Sequence, residues 1–178
     1  ALPSGISDVG APISIAVDRA VTEPKMTDEE VQALADKANQ VTEGKVKLTA
    51  AGTSFEIDGK DFRPAFTATI AGTTEDPAPQ LTMNPEVVAK LLAESQPPGS
   101  GNPTGVKFAI QGGVPVPQAG TDAQVCCGPD APQRIVDALL AGRTEVELPT
   151  RTMTAAEGVE WAKGLGVTQV VGEFTTKH

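Results

Sequence analysis

The chain has 178 residues, enough for one domain of ordinary size with connecting segments. Hydrophobic residues make up 39% and charged residues 21%, so the chain can bury a core and is not a disordered polymer. Fourteen Lys and Arg against 23 Asp and Glu give a net charge of −9, which repels phosphate backbones and anionic lipid and argues against nucleic acid as a partner. With one Trp, five Phe and no Tyr, the core must come from Val, Leu, Ile and Ala.

No apolar run approaches the roughly 18 residues of a membrane helix, so no membrane insertion by these residues is expected. No charged n-region with an apolar h-region opens the sequence. An exported chain would carry its signal upstream of Ala1, and the sequence then reads as a portion of a longer protein.

In chain order, Ile13, Ile15 and Val17 alternate as a strand. Thr27 and Glu30 form a capping box: the Thr27 hydroxyl accepts the Glu30 N–H, and the Glu30 carboxylate accepts the Thr27 N–H. The helix over 28–41 carries Val31, Leu34, Ala35, Ala38 and Val41 as one buried stripe and stops at Gly44. Val46, Leu48, Phe55 and Ile57 predict a hairpin across Ala51-Gly52. Asp58-Gly59 marks a turn, with a short helical turn somewhere in 60–70 and a short strand over 81–83. Asn84 caps a helix over 85–94 that starts on Pro85 and faces inward with Val87, Val88, Leu91 and Leu92.

Residues 96–105, rich in Pro, Gly and Ser, read as a mobile loop. Val106, Phe108 and Ile110, then Gly112-Gly113, then Val114 and Val116 give the clearest hairpin signal, with Pro115 and Pro117 confining the second strand to an edge. Asp130 is placed to cap a helix over 131–141 whose inner face is Ile135, Val136, Leu139 and Leu140. Val146 and Leu148 make a short strand. Met26-Thr27-x-x-Glu30 returns as Met153-Thr154-x-x-Glu157, so a second capped helix is expected, with Gly166 as its stop. The echo fits a modular array, and also the commonness of Thr-x-x-Glu at helix starts. On it, Trp161 is expected to be largely buried, as core or interdomain packing; an exposed platform for sugar is the other reading.

Few residues point to chemistry. Adjacent Cys126 and Cys127 lack the spacing of zinc or redox motifs; they could close on each other, pair with another domain, or stay free. His178 is the one histidine, so neither a zinc set nor a base for a nucleophile assembles inside the chain, and Ser4, Ser7, Ser14, Ser54, Ser95 and Ser100 show no S-x-x-K spacing. Glu145 and Glu147 share one strand face, as a glycosidase pair would, but an edge strand's solvated side looks the same. Glu56 and Asp58 read alike. Gly112-Gly113 would let a ligand approach the backbone, though a two-residue turn explains it. No catalytic residue, metal or cofactor is expected, and no ligand-binding residue is assigned.

Leu165-Gly166-Val167 and Val171-Gly172-Glu173-Phe174-Thr175-Thr176, with the helix around Trp161, resemble the segment leading into VanW domains, a family linked to vancomycin and other glycopeptide resistance clusters. Residues 27–150 are similar, by order and spacing of elements, to the YoaR-like peptidoglycan-binding domain that precedes VanW or L,D-transpeptidase domains. The resemblance implies a mixed α/β (α+β) domain with about four helices, no catalytic residues, peptidoglycan as partner and an adjacent VanW domain beyond residue 178. It implies an extracytoplasmic place, in the cell wall or on the outer face of the membrane. Residues 1–26 are then the tail of a preceding module or an added strand, and 151–178 a helix–strand lead. Two other readings stand beside it: a packing or spacer module without glycan affinity, and a carboxylate-dependent glycan hydrolase.

Overall fold

The computed structural model describes residues 25–169 and the backbone of two short strands, β1 (Ile15–Ala16) and β2 (Arg19–Ala20), which pair antiparallel. Ile13 and Val17, expected to extend that strand, lie outside the described residues.

Helix α1 (Asp28–Val41) opens on the expected capping box, with Thr27 N–H donating to Glu30 Oε2 at 2.8 Å and Glu30 N–H to Thr27 Oγ1 at 3.2 Å. Its apolar stripe is not buried throughout. Ala38 and Val41 are buried, but Val31 is 43% exposed, because only the last turns of α1 lie over the core. Next come β3 (Lys45–Ala50) and β4 (Thr53–Asp58), paired antiparallel around Ala51 (φ 50°) and Gly52 (φ 76°), both left-handed as a type I′ turn demands.

A 3₁₀ helix (Gly59–Ala65) drives Phe62 fully into the core. The expected helical turn is therefore present, but the chain leaves it at once for β5 (Phe66–Gly72), which pairs antiparallel with β6 (Pro77–Met83). That hairpin takes in the expected short strand over 81–83 and lengthens it to seven residues. Prolines at 77 and 79 obscured it, and they are tolerated because this two-stranded ribbon is all edge. Asn84 caps α2 (Pro85–Glu94), its side chain accepting the Glu86 N–H at 2.9 Å.

The loop after α2 is not the free excursion its composition predicts. Cys126 N–H donates to Pro98 O at 3.0 Å, and the Asn102 side chain clamps both backbone groups of Val106 at 2.8 Å. Hairpin β7 (Lys107–Gln111) and β8 (Val114–Gln118) turns on Gly112-Gly113, at φ 61° and 79°. Strand β9 (Ala123–Cys126) leads to α3 (Ala131–Leu140), which buries Ile135, Val136, Ala138 and Leu139. The expected Asp130 cap is not made: at φ −91°, ψ 2° its backbone lacks the extended form a cap needs, and its carboxylate lies 3.9 Å from Arg134 Nε instead. Strand β10 (Glu145–Glu147) returns parallel to β3, giving a three-stranded sheet in the order β10-β3-β4. Strand β11 (Thr150–Met153) pairs antiparallel with β9, and α4 (Ala155–Gly164) follows with its own capping box.

Among the described residues the fold is α+β: four α-helices, one 3₁₀ helix and small sheets around a core of Val46, Leu48, Phe62, Val88, Ile135 and Leu139. Each of those side chains contributes about 1.5–3 kcal/mol by leaving water.

Candidate functional site

Two places present more than ordinary surface. The first is the outer face of the three-stranded sheet. Alternation sends Val46, Leu48 and Val146 inward and leaves their neighbours outward. Register then aligns Glu145, Lys47 and Glu56 in one row, and Glu147, Thr49 and Ser54 in the next. Thr49 and Ser54 join hydroxyls at 2.9 Å. Glu145 and Glu147 therefore do share a face, with Lys47 and Thr49 beside them. They lie side by side on one strand, both exposed, whereas paired-carboxylate hydrolysis places its two groups on opposite sides of a scissile bond.

The second is a cleft between α2 and α3. Strand β9 ends at Cys126, and Cys126 and Cys127 are joined to each other by a disulfide, across a cis peptide. Both are half-buried and pack against the main core. Around them Leu92, Ala93, Pro97, Pro129 and Pro132 complete an open cleft of about 380 Å³. Sequence reasoning singled out the cysteines but not these neighbours. The run Cys-Cys-Gly-Pro immediately before a helix was the available signal, since it obliges the pair to sit at the helix entrance.

The sequence matches no family model and no curated protein. Two solved structures show a weak, partial likeness to the chain. One is a cysteine-to-serine mutant of Enterococcus faecium L,D-transpeptidase: TM-score 0.40, 14% identity, 67% of this chain and 45% of that one. The other is the Ldtfm–avibactam carbamoyl enzyme: TM-score 0.43, 16% identity, 70% of this chain and 46% of that one. The chain thus spans a little under half the length of the structures it is similar to. Likeness at this level carries no argument about fold or activity.

The other candidates are scattered. Ser54 is tied to Thr49, and Ser95 Oγ donates to Leu91 O at 2.6 Å at the end of α2. Ser4, Ser7, Ser14 and His178 lie outside the described residues. No group of three or more His, Cys, Asp or Glu able to hold a metal forms among the described residues, and no described helix is long and apolar enough to cross a membrane. Trp161, expected to be largely buried, is partly buried, and Leu165 at the end of α4 is 53% exposed. Gly158 and Ala162 take the buried positions of α4 instead, because that helix packs so close that only small residues fit.

Near the start of α4, Glu157 is held below the ordinary glutamate range. The Thr154 N–H is the main cause, then the Thr154 hydroxyl, with Arg151 at 3.4 Å adding its charge. This is a structural clasp: its partners all belong to the helix entrance.

Proposed function

We propose that the chain is a non-catalytic module of a bacterial surface protein that positions an adjoining VanW domain at the cell wall, with peptidoglycan as its ligand. The observation that carries the positioning part is the anchoring of α4. Strand β11 pairs with β9 over four residues, Asp122 Oδ1 accepts the Ala155 N–H at 2.8 Å, and Gly158 rests on Thr104. A helix tied at three places transmits a set orientation to whatever adjoins it. The peptidoglycan part is supported by the similarity of residues 27–150 to YoaR-like domains, and it implies an extracytoplasmic location.

Retention of the full chain on purified insoluble peptidoglycan, measured over a salt series, tests the ligand. Sedimentation with the wall material at physiological salt is the expected result; a chain that stays in the supernatant at every salt overturns peptidoglycan as ligand. Incubation with the same material should release no muropeptides above a heat-treated control. Release abolished by Glu145→Gln or Glu147→Gln would instead make the sheet face a hydrolase site.

One observation favours the packing reading without glycan affinity. Leu165 and Val167, at the end of α4, are 53% and 41% exposed. Such apolar side chains suit contact with a protein neighbour.

A further inference from the structure

We propose that the cleft between α2 and α3, walled by the Cys126–Cys127 disulfide, is a binding site for one neutral sugar ring of a glycan strand. This rests on the reading of the chain as a peptidoglycan-binding module and names where the glycan would sit.

The composition of the cleft narrows the ligand. None of its lining residues is charged, although the chain as a whole carries a net charge of −9 and 21% charged residues. A charged ligand such as a stem peptide would lose water there without gaining a counter-charge, which is costly. A neutral ligand loses nothing of that kind.

The shape narrows it further. At about 380 Å³ the cleft lies near the small end of ligand sites, room for a single ring rather than a long chain. It is open to solvent, so its occupant must be apolar on the buried side and polar on the other. A pyranose has that form: one face is C–H groups and the rim is hydroxyls. Protein sites commonly meet the C–H face with an aromatic ring, but the chain has no Tyr and its single Trp stands on α4, away from this cleft. Here Pro97, Pro129, Pro132 and the disulfide supply an apolar surface of comparable stiffness. Proline rings have no free side-chain rotors, and the bridge fixes both cysteines, so little conformational entropy is lost on contact.

The floor is held from behind. Val125, next to the disulfide, is buried and leaves no room for a Cβ at Gly99; Gly128 N–H donates to Pro149 O at 2.7 Å. Ala93, by contrast, is exposed on α2 at the cleft's mouth, so a charge can be placed there without disturbing the core.

The test is titration of the isotope-labelled full chain, disulfide intact, with a β-1,4-linked N-acetylglucosamine tetramer, followed by amide chemical shifts. We expect saturable shifts at Leu92, Ala93, Cys127 and Gly128 with a dissociation constant on the order of 0.1–1 mM, the strength of one ring with few hydrogen bonds. Ala93→Glu should weaken binding about tenfold or more and leave the unfolding midpoint near the parent's. No saturable shift, shifts centred elsewhere, or equal affinity in Ala93→Glu would overturn the site. Retention on insoluble peptidoglycan separates the two failures. A chain retained on the wall material but silent to the tetramer loses this cleft and keeps the module's reading; a chain that does neither loses both.

Discussion

Gly158 of α4 lies directly on the side chain of Thr104: a Cβ at position 158 would stand 2.9 Å from Thr104 Cβ and 3.1 Å from Val106 Cγ2, with the Thr104 hydroxyl closer still. Thr104 is 2% exposed, so it has no free space into which to retreat. The contact ties the loop after α2 to the last described helix, and it is absent from any local sequence pattern.

Gly158→Ala should therefore destabilise the chain even though alanine favours helix by about 1 kcal/mol over glycine. Overpacking at a closed contact costs about 1–3 kcal/mol, so the net expected loss is about 0–2 kcal/mol. Denaturant unfolding measures it. Thr104→Ala in the same chain should restore part of the loss; additive effects of the two changes would mean that the residues do not touch in solution.

Two buried threonines should respond oppositely to loss of their hydroxyl. The Thr42 hydroxyl donates to Ala38 O at 2.7 Å and accepts from Arg63 Nε at 2.9 Å, whereas the Thr104 hydroxyl finds no partner among the described residues. Thr42→Val should cost about 0.5–1.5 kcal/mol, because it removes the hydroxyl's bonds to Ala38 O and from Arg63 Nε, while Ala38 O keeps the Thr42 N–H. Thr104→Val, nearly the same shape, should be neutral or slightly stabilising. Equal losses in the two variants would contradict the hydrogen bonding described.

The clasp at α4 predicts a pH dependence. Glu157 has its folded pKa below the ordinary value of 4.5, so the unfolded chain binds its proton first as pH falls. Its contribution to stability is complete above that ordinary value and is lost as pH drops through the lowered folded value. Glu157→Gln should remove this component, so that parent and variant converge in thermal midpoint at low pH and separate as pH rises towards 4.5, the gap staying constant above it. A constant separation from low pH up to 4.5 would rule out the clasp.

Ala51 holds φ at 50°, a left-handed conformation that costs a β-carbon-bearing residue about 1 kcal/mol. Asn precedes Gly in the turns that join hairpins of this kind. Ala51→Asn, at an exposed site, should raise stability by up to about 1 kcal/mol in thermal or denaturant unfolding. A loss of stability would mean that the turn is of another type.

What the sequence determined by itself was local. The capping boxes at Thr27 and Thr154, the Asn84-Pro85 start of α2, and the turns at Ala51-Gly52 and Gly112-Gly113 are set by residues within four positions of each other. Side-chain and backbone geometry at that range leaves few alternatives. Tertiary structure decided what depends on a partner far along the chain. The parallel return of β10 to β3 and the pairing of β9 with β11 join strands three to six residues long, too short to announce themselves. Whether an apolar stripe is core was likewise not a local matter. The periodicity of α1 was real, yet Val31 stays exposed because the core lies under the last turns of that helix, while Phe62 is fully buried from a short 3₁₀ helix with no periodicity at all. The cleft belongs with these. Its cysteines were plain in the sequence, but Leu92, Ala93 and the three prolines reach them only once α2 and α3 pack together, since burial is a property of contacts across the chain rather than of spacing along it.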